Sequence, residues 1–142
     1  GENPMRNPRY LLICDLINGS SRLISAVSGL LRYPSVRPDL ASLRFIHKAE
    51  SALLVAVCER LALWQRLLLK VEEQGNSLPS APADPFQPPE LWDLFYRNLQ
   101  QTNTDDLSFQ QLERMANRIN RCRQIQRTIE ETERQWRHWQ TS

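Results

Sequence analysis

Apolar residues recur every three or four positions over most of this chain, the period of an α-helix with one buried face. Leu12, Ile13, Leu16, Ser20, Leu23, Ile24, Val27 and Leu31 keep that spacing and predict a first helix over residues 8–33. Pro8 suits its first turn, where a missing N–H costs nothing. Asn18-Gly19 is a weak point inside it, because the same pair favours turns; the expectation is one continuous helix. A second helix is predicted over 39–74, roughly 54 Å long. Its stripe alternates three and four through Leu40, Leu43, His47, Glu50, Leu54, Val57, Leu61, Trp64, Leu68 and Val71. Leu53, Val55, Leu63, Leu67 and Leu69 widen the apolar face, as in a helix enclosed by several neighbours. Gly75 reads as its C-terminal cap.

Residues 75–89 hold Pro79, Pro82, Pro85, Pro88 and Pro89 and read as an extended, semi-rigid linker. A short third helix is expected over Glu90–Gln101, with Leu91, Leu94, Phe95 and Leu99 on its apolar side. The fourth, over 108–139, has the clearest start signal. Ser108 and Gln111 form a capping box, and Leu107 with Leu112 can close a hydrophobic staple. Its stripe runs Leu112, Met115, Ile119, Cys122, Gln126, Ile129, Glu133, Trp136. The expected fold is therefore all-α: a four-helix bundle with two long helices, a proline-rich linker and a short third helix. In domain terms, residues 1–7 read as a tag or flexible N-terminus and 8–142 as one helical-bundle domain.

A chain of 142 residues with 41% apolar and 24% charged residues has the composition of a soluble globule. Four glycines and few β-branched residues exclude a sandwich or barrel. No run reaches the ~18–20 uncharged apolar residues of a membrane span, so no transmembrane segment is expected. Asp15 and the stretch Asn18–Arg22 interrupt what would otherwise be a signal-peptide core. Cys14, Cys58 and Cys122 are too widely spaced for a zinc site and odd in number. They are expected as reduced, partly buried thiols, which places the chain in the cytoplasm.

The net charge of +2 says little, but its distribution says more. Residues 75–107 are acidic and residues 108–142 basic, and the basic residues are nearly all arginine. Arg114, Arg118, Arg121, Arg123 and Arg127 lie on one helix with no acid among residues 114–127, and Arg134, Trp136 and Trp139 follow. Guanidinium groups at this spacing can contact a phosphate backbone, and the indoles can stack bases. The bland alternative is a solvated face paired with the acidic segment. Arg118-Ile119-Asn120-Arg121-Cys122-Arg123 with Ile129-Glu130 resembles a short stretch near the C-terminus of the bacterial primosomal replication protein N-double-prime family. That resemblance implies a helical protein bound to single-stranded DNA and its binding protein; it is confined to this segment.

Enzymatic motifs are missing: no Gly-rich phosphate loop, nucleophile elbow or HExxH occurs. His47 and Glu50 share a helix face, but a bundle metal site needs several such pairs. They read as a polar layer, so no metal or cofactor is expected. The functional expectation is a non-enzymatic protein-interaction, scaffolding or regulatory adaptor module with a protein partner, and homodimerisation is plausible. One alternative is a nucleic-acid-associated protein using the arginines. Another is a soluble helical domain of a larger transporter or signalling protein.

Overall fold

The computed structural model describes residues 7–32, 44–70, 78–87, 97, 100 and 108–141. Three long helices organise them: α1 (Pro8–Arg32), α2 (Arg44–Leu69) and α3 (Phe109–Thr141). The all-α expectation holds. The expected short helix over 90–101 lies outside the described residues, except for Arg97 and Gln100, which are helical and exposed. Residues 39–43 and 71–77, where the second helix was expected to begin and to end on Gly75, also lie outside them.

Each helix starts for a local reason. Asn7 precedes α1, and its side-chain oxygen accepts the Arg9 N–H at 3.0 Å, while Pro8 takes the first helical position. Before α3, the Ser108 N–H donates to Gln111 Oε1 at 2.9 Å. The Gln111 N–H donates back to Ser108 Oγ at 3.2 Å, closing the expected capping box. Leu107, the outer half of the expected staple, lies outside the described residues. Asn18-Gly19 does not break α1. α2 stops at Leu69 with Lys70 in a turn, short of the expected Gln74. In its last turn Leu67 still packs against the core, while Leu68 and Leu69 are exposed.

Side-chain partners fix the directions. Asp15 meets Trp139, Gly19 meets Thr132, and Gly29 meets Arg121, so α1 and α3 run antiparallel. Glu50 meets Arg118 and Trp64 meets Glu133, so α2 runs parallel to α3. The α1 core stripe is Leu12, Leu16, Gly19, Leu23, Ala26 and Leu30. The small residues let α3 come close. A Cβ at Gly19 would lie 2.3 Å from Thr132 Oγ1, so only glycine fits that crossing. Thr132 turns its hydroxyl back to the Thr128 carbonyl at 2.7 Å and needs no partner from α1.

The buried stripes differ from the predicted ones by a rotation. α2 buries Ile46, Glu50, Leu53, Val57 and Trp64, whereas Leu61 and Leu68 are more than a third exposed. On α1 the expected core residues Ile13, Ile24 and Leu31 are exposed by 46%, 66% and 70%. The cause is a second apolar stripe beside the first on both helices. Periodicity alone cannot say which of two adjacent stripes a three-helix core takes. Residues 78–87 carry no helix, as expected of the linker, and Phe86 joins the core from it.

Candidate interaction surface

Two ion pairs tie α2 to α3 inside the bundle. Glu50 accepts two hydrogen bonds from Arg118, at 2.5 Å from Nε and 2.7 Å from Nη2. The hydrogen bond to Glu50 raises the Arg118 pKa above its ordinary value, against the lowering effect of burial. Glu133, 1% exposed, takes Arg60 at 2.7 and 2.5 Å and the Trp64 indole N–H at 2.7 Å. Arg60 Nη2 also donates to the Asp84 carbonyl and the guanidinium lies over Phe86, so one arginine joins both helices and the linker. Trp136 donates to the Pro79 carbonyl at 2.8 Å and stands edge-on to Trp64. The side chains of this network tie α2, α3 and the linker together.

The predicted arginine face is divided by the same packing. Arg118 is 7% exposed and Trp136 0%, so neither belongs to a surface. The periodicity argument placed Arg118 outward because it overlooked Glu50, a turn-matched carboxylate on α2 that draws it in. Arg114 and Arg121 are half-buried, the latter against Gly29. Trp139 is half-buried and donates to Asp15 Oδ2 at 2.7 Å. Arg123, Arg127 and Arg134 are exposed. In the stretch that resembles the primosomal family, Arg118 and Cys122 therefore point into the core. Burial, with Glu50 nearby, pushes the Cys122 thiol up to about 12, which keeps it protonated and unreactive. His47 is half-buried, and the described residues contain no group of three His, Cys, Asp or Glu side chains able to hold a metal.

Among the described residues the packing leaves a polar hollow of about 450 Å³ between α1 and α3, lined by Ser21, Arg22, Arg127 and Glu131 among others, and an apolar one. Between α1 and α2 runs a groove of about 400 Å³, lined by Leu23, Ile24, Val27, Leu54, Cys58 and Leu61 among others. On the α1 side the exposed apolar residues Tyr10, Ile13, Ile17, Ile24 and Leu31 continue it to both ends of the helix. Their spacing of three, four, seven and seven is that of a coiled-coil seam, with half-buried Ser20 and Val27 filling the gaps. No position of the seam is charged. The sequence held this signal, in the doubled apolar positions 12/13, 16/17, 23/24 and 30/31. The prediction folded both stripes into a single core face.

α1 is also long and apolar enough, by length and composition, to cross a membrane. Set against the expectation of no such segment, this is a match of length and composition alone, shared by the core helix of a soluble protein and by a signal sequence near the N-terminus. The chain matches no known family, no curated protein sequence and no solved structure.

Proposed function

We propose that this chain is a non-enzymatic helical protein-interaction module, and that the α1–α2 groove is where its partner docks. The observation that carries the proposal is the uncharged seam on α1. Isolated exposed apolar residues are ordinary, but a contiguous row along a whole helix beside a groove marks an interaction surface. α1, packed closely on α3 at Gly19, and α2, tied to α3 by buried ion pairs, present its two walls to a partner helix. We keep the four-helix arrangement as part of this proposal, with residues 90–101 supplying the short helix.

The nucleic-acid alternative retains Arg123, Arg127 and Arg134 but loses Arg118 and Trp136 to the core. A photo-reactive amino acid at Ile24, compared with one at Gln135 on exposed α3 surface, tests the docking reading in cells making the full chain. The expected result is a protein adduct from Ile24 that disappears when Leu61→Glu blocks the opposite wall of the groove. Adducts from Gln135 alone, or none from Ile24, would overturn it.

A further inference from the structure

We propose that the partner in the groove is α1 of a second copy of this chain, laid antiparallel, so that two bundles join through paired α1 helices. The inference rests on the docking reading above and names its occupant.

The α1 seam is complementary to itself. Written as a heptad, Tyr10, Ile17, Ile24 and Leu31 are a positions, and Ile13, Ser20 and Val27 are d positions. In an antiparallel pair the a positions of one helix face the d positions of the other. One register satisfies this along nearly the whole helix. Tyr10 faces the second copy's Val27, Ile13 its Ile24, and Ile17 its Ser20, and the two-fold axis repeats each layer. Each of these layers then holds at least one large apolar side chain and no charge, and the small Ser20 accommodates Ile17; Leu31 falls beyond the paired layers. While facing its copy, each α1 also covers the α2 wall at Leu54, Cys58 and Leu61.

The surface is contiguous: Tyr10, Ile13, Ile17 and Ile24 are each 46% or more exposed and Leu61 across the groove 38%, an apolar centre of the kind around which an interface of ~800 Å² per partner is built. Of the chain's own stretches outside the described residues, 88–107 is the longest, with only Arg97 and Gln100 described. Residues 88–107 leave from Phe86, which lies against Arg60 of α2, and re-enter at Ser108 before α3. Neither end is anchored on α1, whose seam is the longer half of the surface.

Sedimentation of the full chain across micromolar concentrations is the first measurement. The expected result is a dimer, converted to monomer by Ile17→Glu with Ile24→Glu. Both positions are more than half exposed, so the helical signal and the melting of the monomer should survive. A second measurement does not depend on that variant. Spin labels are placed at Arg32→Cys in a chain also carrying Cys14→Ser and Cys58→Ser. In the antiparallel register residue 32 lies opposite residue 5 of the copy, so the labels should be about 40 Å apart along the axis. A label distance under about 20 Å, near the interaxial spacing of packed helices, would mean parallel helices and overturn the arrangement. A dimer untouched by the two glutamates overturns it as well.

A monomer at all concentrations overturns the copy while sparing the docking reading, provided that Ile24 still gives an adduct with a different protein. A monomer that floats with phosphatidylcholine vesicles and gives no protein adduct assigns the seam to lipid and overturns both. A monomer whose Ile24 crosslinks within its own chain to residues 90–101 overturns both, because the short helix would then itself fill the groove.

Discussion

Glu133 and Glu50 show how much of this fold hangs on single carboxylates. Each is nearly enclosed, and each neutralises an arginine that is itself 12% exposed or less. Removing one partner strands a buried charge, which costs about 3–5 kcal/mol, whereas replacing both by apolar residues of similar size is often neutral. Glu50→Ala should therefore unfold the chain at markedly lower denaturant, and Glu50→Leu with Arg118→Met should recover most of the loss. A double variant as weak as the single would show that the pair does more than satisfy itself. Gly19 offers a steric counterpart. An alanine there should gain about 1 kcal/mol of helix propensity. It must also displace Thr132, at about 1–3 kcal/mol for overpacking. With Oγ1 at 2.3 Å and Cγ2 at 2.6 Å from the new carbon, net destabilisation is expected, relieved by Thr132→Ala. A higher melting temperature for Gly19→Ala would disprove the close crossing. Cys122 adds a pH dependence. Its folded pKa of about 12 lies above the ~8.5 of a free thiol, so the folded state holds the proton more tightly. Its contribution is complete below about pH 8.5 and declines as pH rises toward 12. Chemical denaturation between pH 7 and 10 should show falling stability, with a flatter profile for Cys122→Ala.

Elements were legible in the sequence to different degrees, and the reasons are physical. Helix starts that rest on side-chain chemistry were readable: Ser108 and Gln111 form the capping box that their spacing predicts. The Asn7 cap is equally local, an Asn directly before the proline that opens α1. The end of α2 at Leu69 was not readable, since the apolar run continues past the point where the core stops. Neither was the rotation of the α1 and α2 stripes. With two adjacent apolar rows per helix, only the neighbours' positions decide which is inside. Tertiary partners so distant in sequence as Arg118 and Glu50 leave no periodic trace. The linker belongs to this scale too. Its Pro79 carbonyl is held by the Trp136 indole, and Phe86 by Arg60. Trp136→Phe deletes the donor and also part of a fully buried ring system, so the loss should exceed the ~1 kcal/mol of a neutral hydrogen bond. Hydrogen exchange should then speed up selectively over residues 78–87. A uniform rise across all three helices would mean that the indole holds the bundle and not the linker.

At the scale of the whole molecule, charge and apolar surface sit on different sides. The α1–α2 side presents the uncharged seam, and α3 presents Arg123, Arg127 and Arg134. The arginine row in the sequence implied one continuous cationic face, and folding removes its middle by burying Arg118 and drawing Arg121 against Gly29. Binding to a phosphate backbone scales with the number of phosphates neutralised together, at a slope of about −0.7 per contact on single strands. With the row interrupted, a fluorescent single-stranded oligonucleotide should bind weakly, with a salt slope shallower than about −2. Arg123→Glu with Arg127→Glu is the control that charge reversal at Arg118 cannot be, because that change would unfold the protein by confronting Glu50. Exposed substitutions of this kind typically alter stability by no more than about 0.5 kcal/mol. Tight binding with a steep slope, lost in that double variant while the fold persists, would make the cationic side a second working surface. Binding that is steep yet indifferent to both arginines would locate the phosphate contacts on Arg134 or on residues outside those described here.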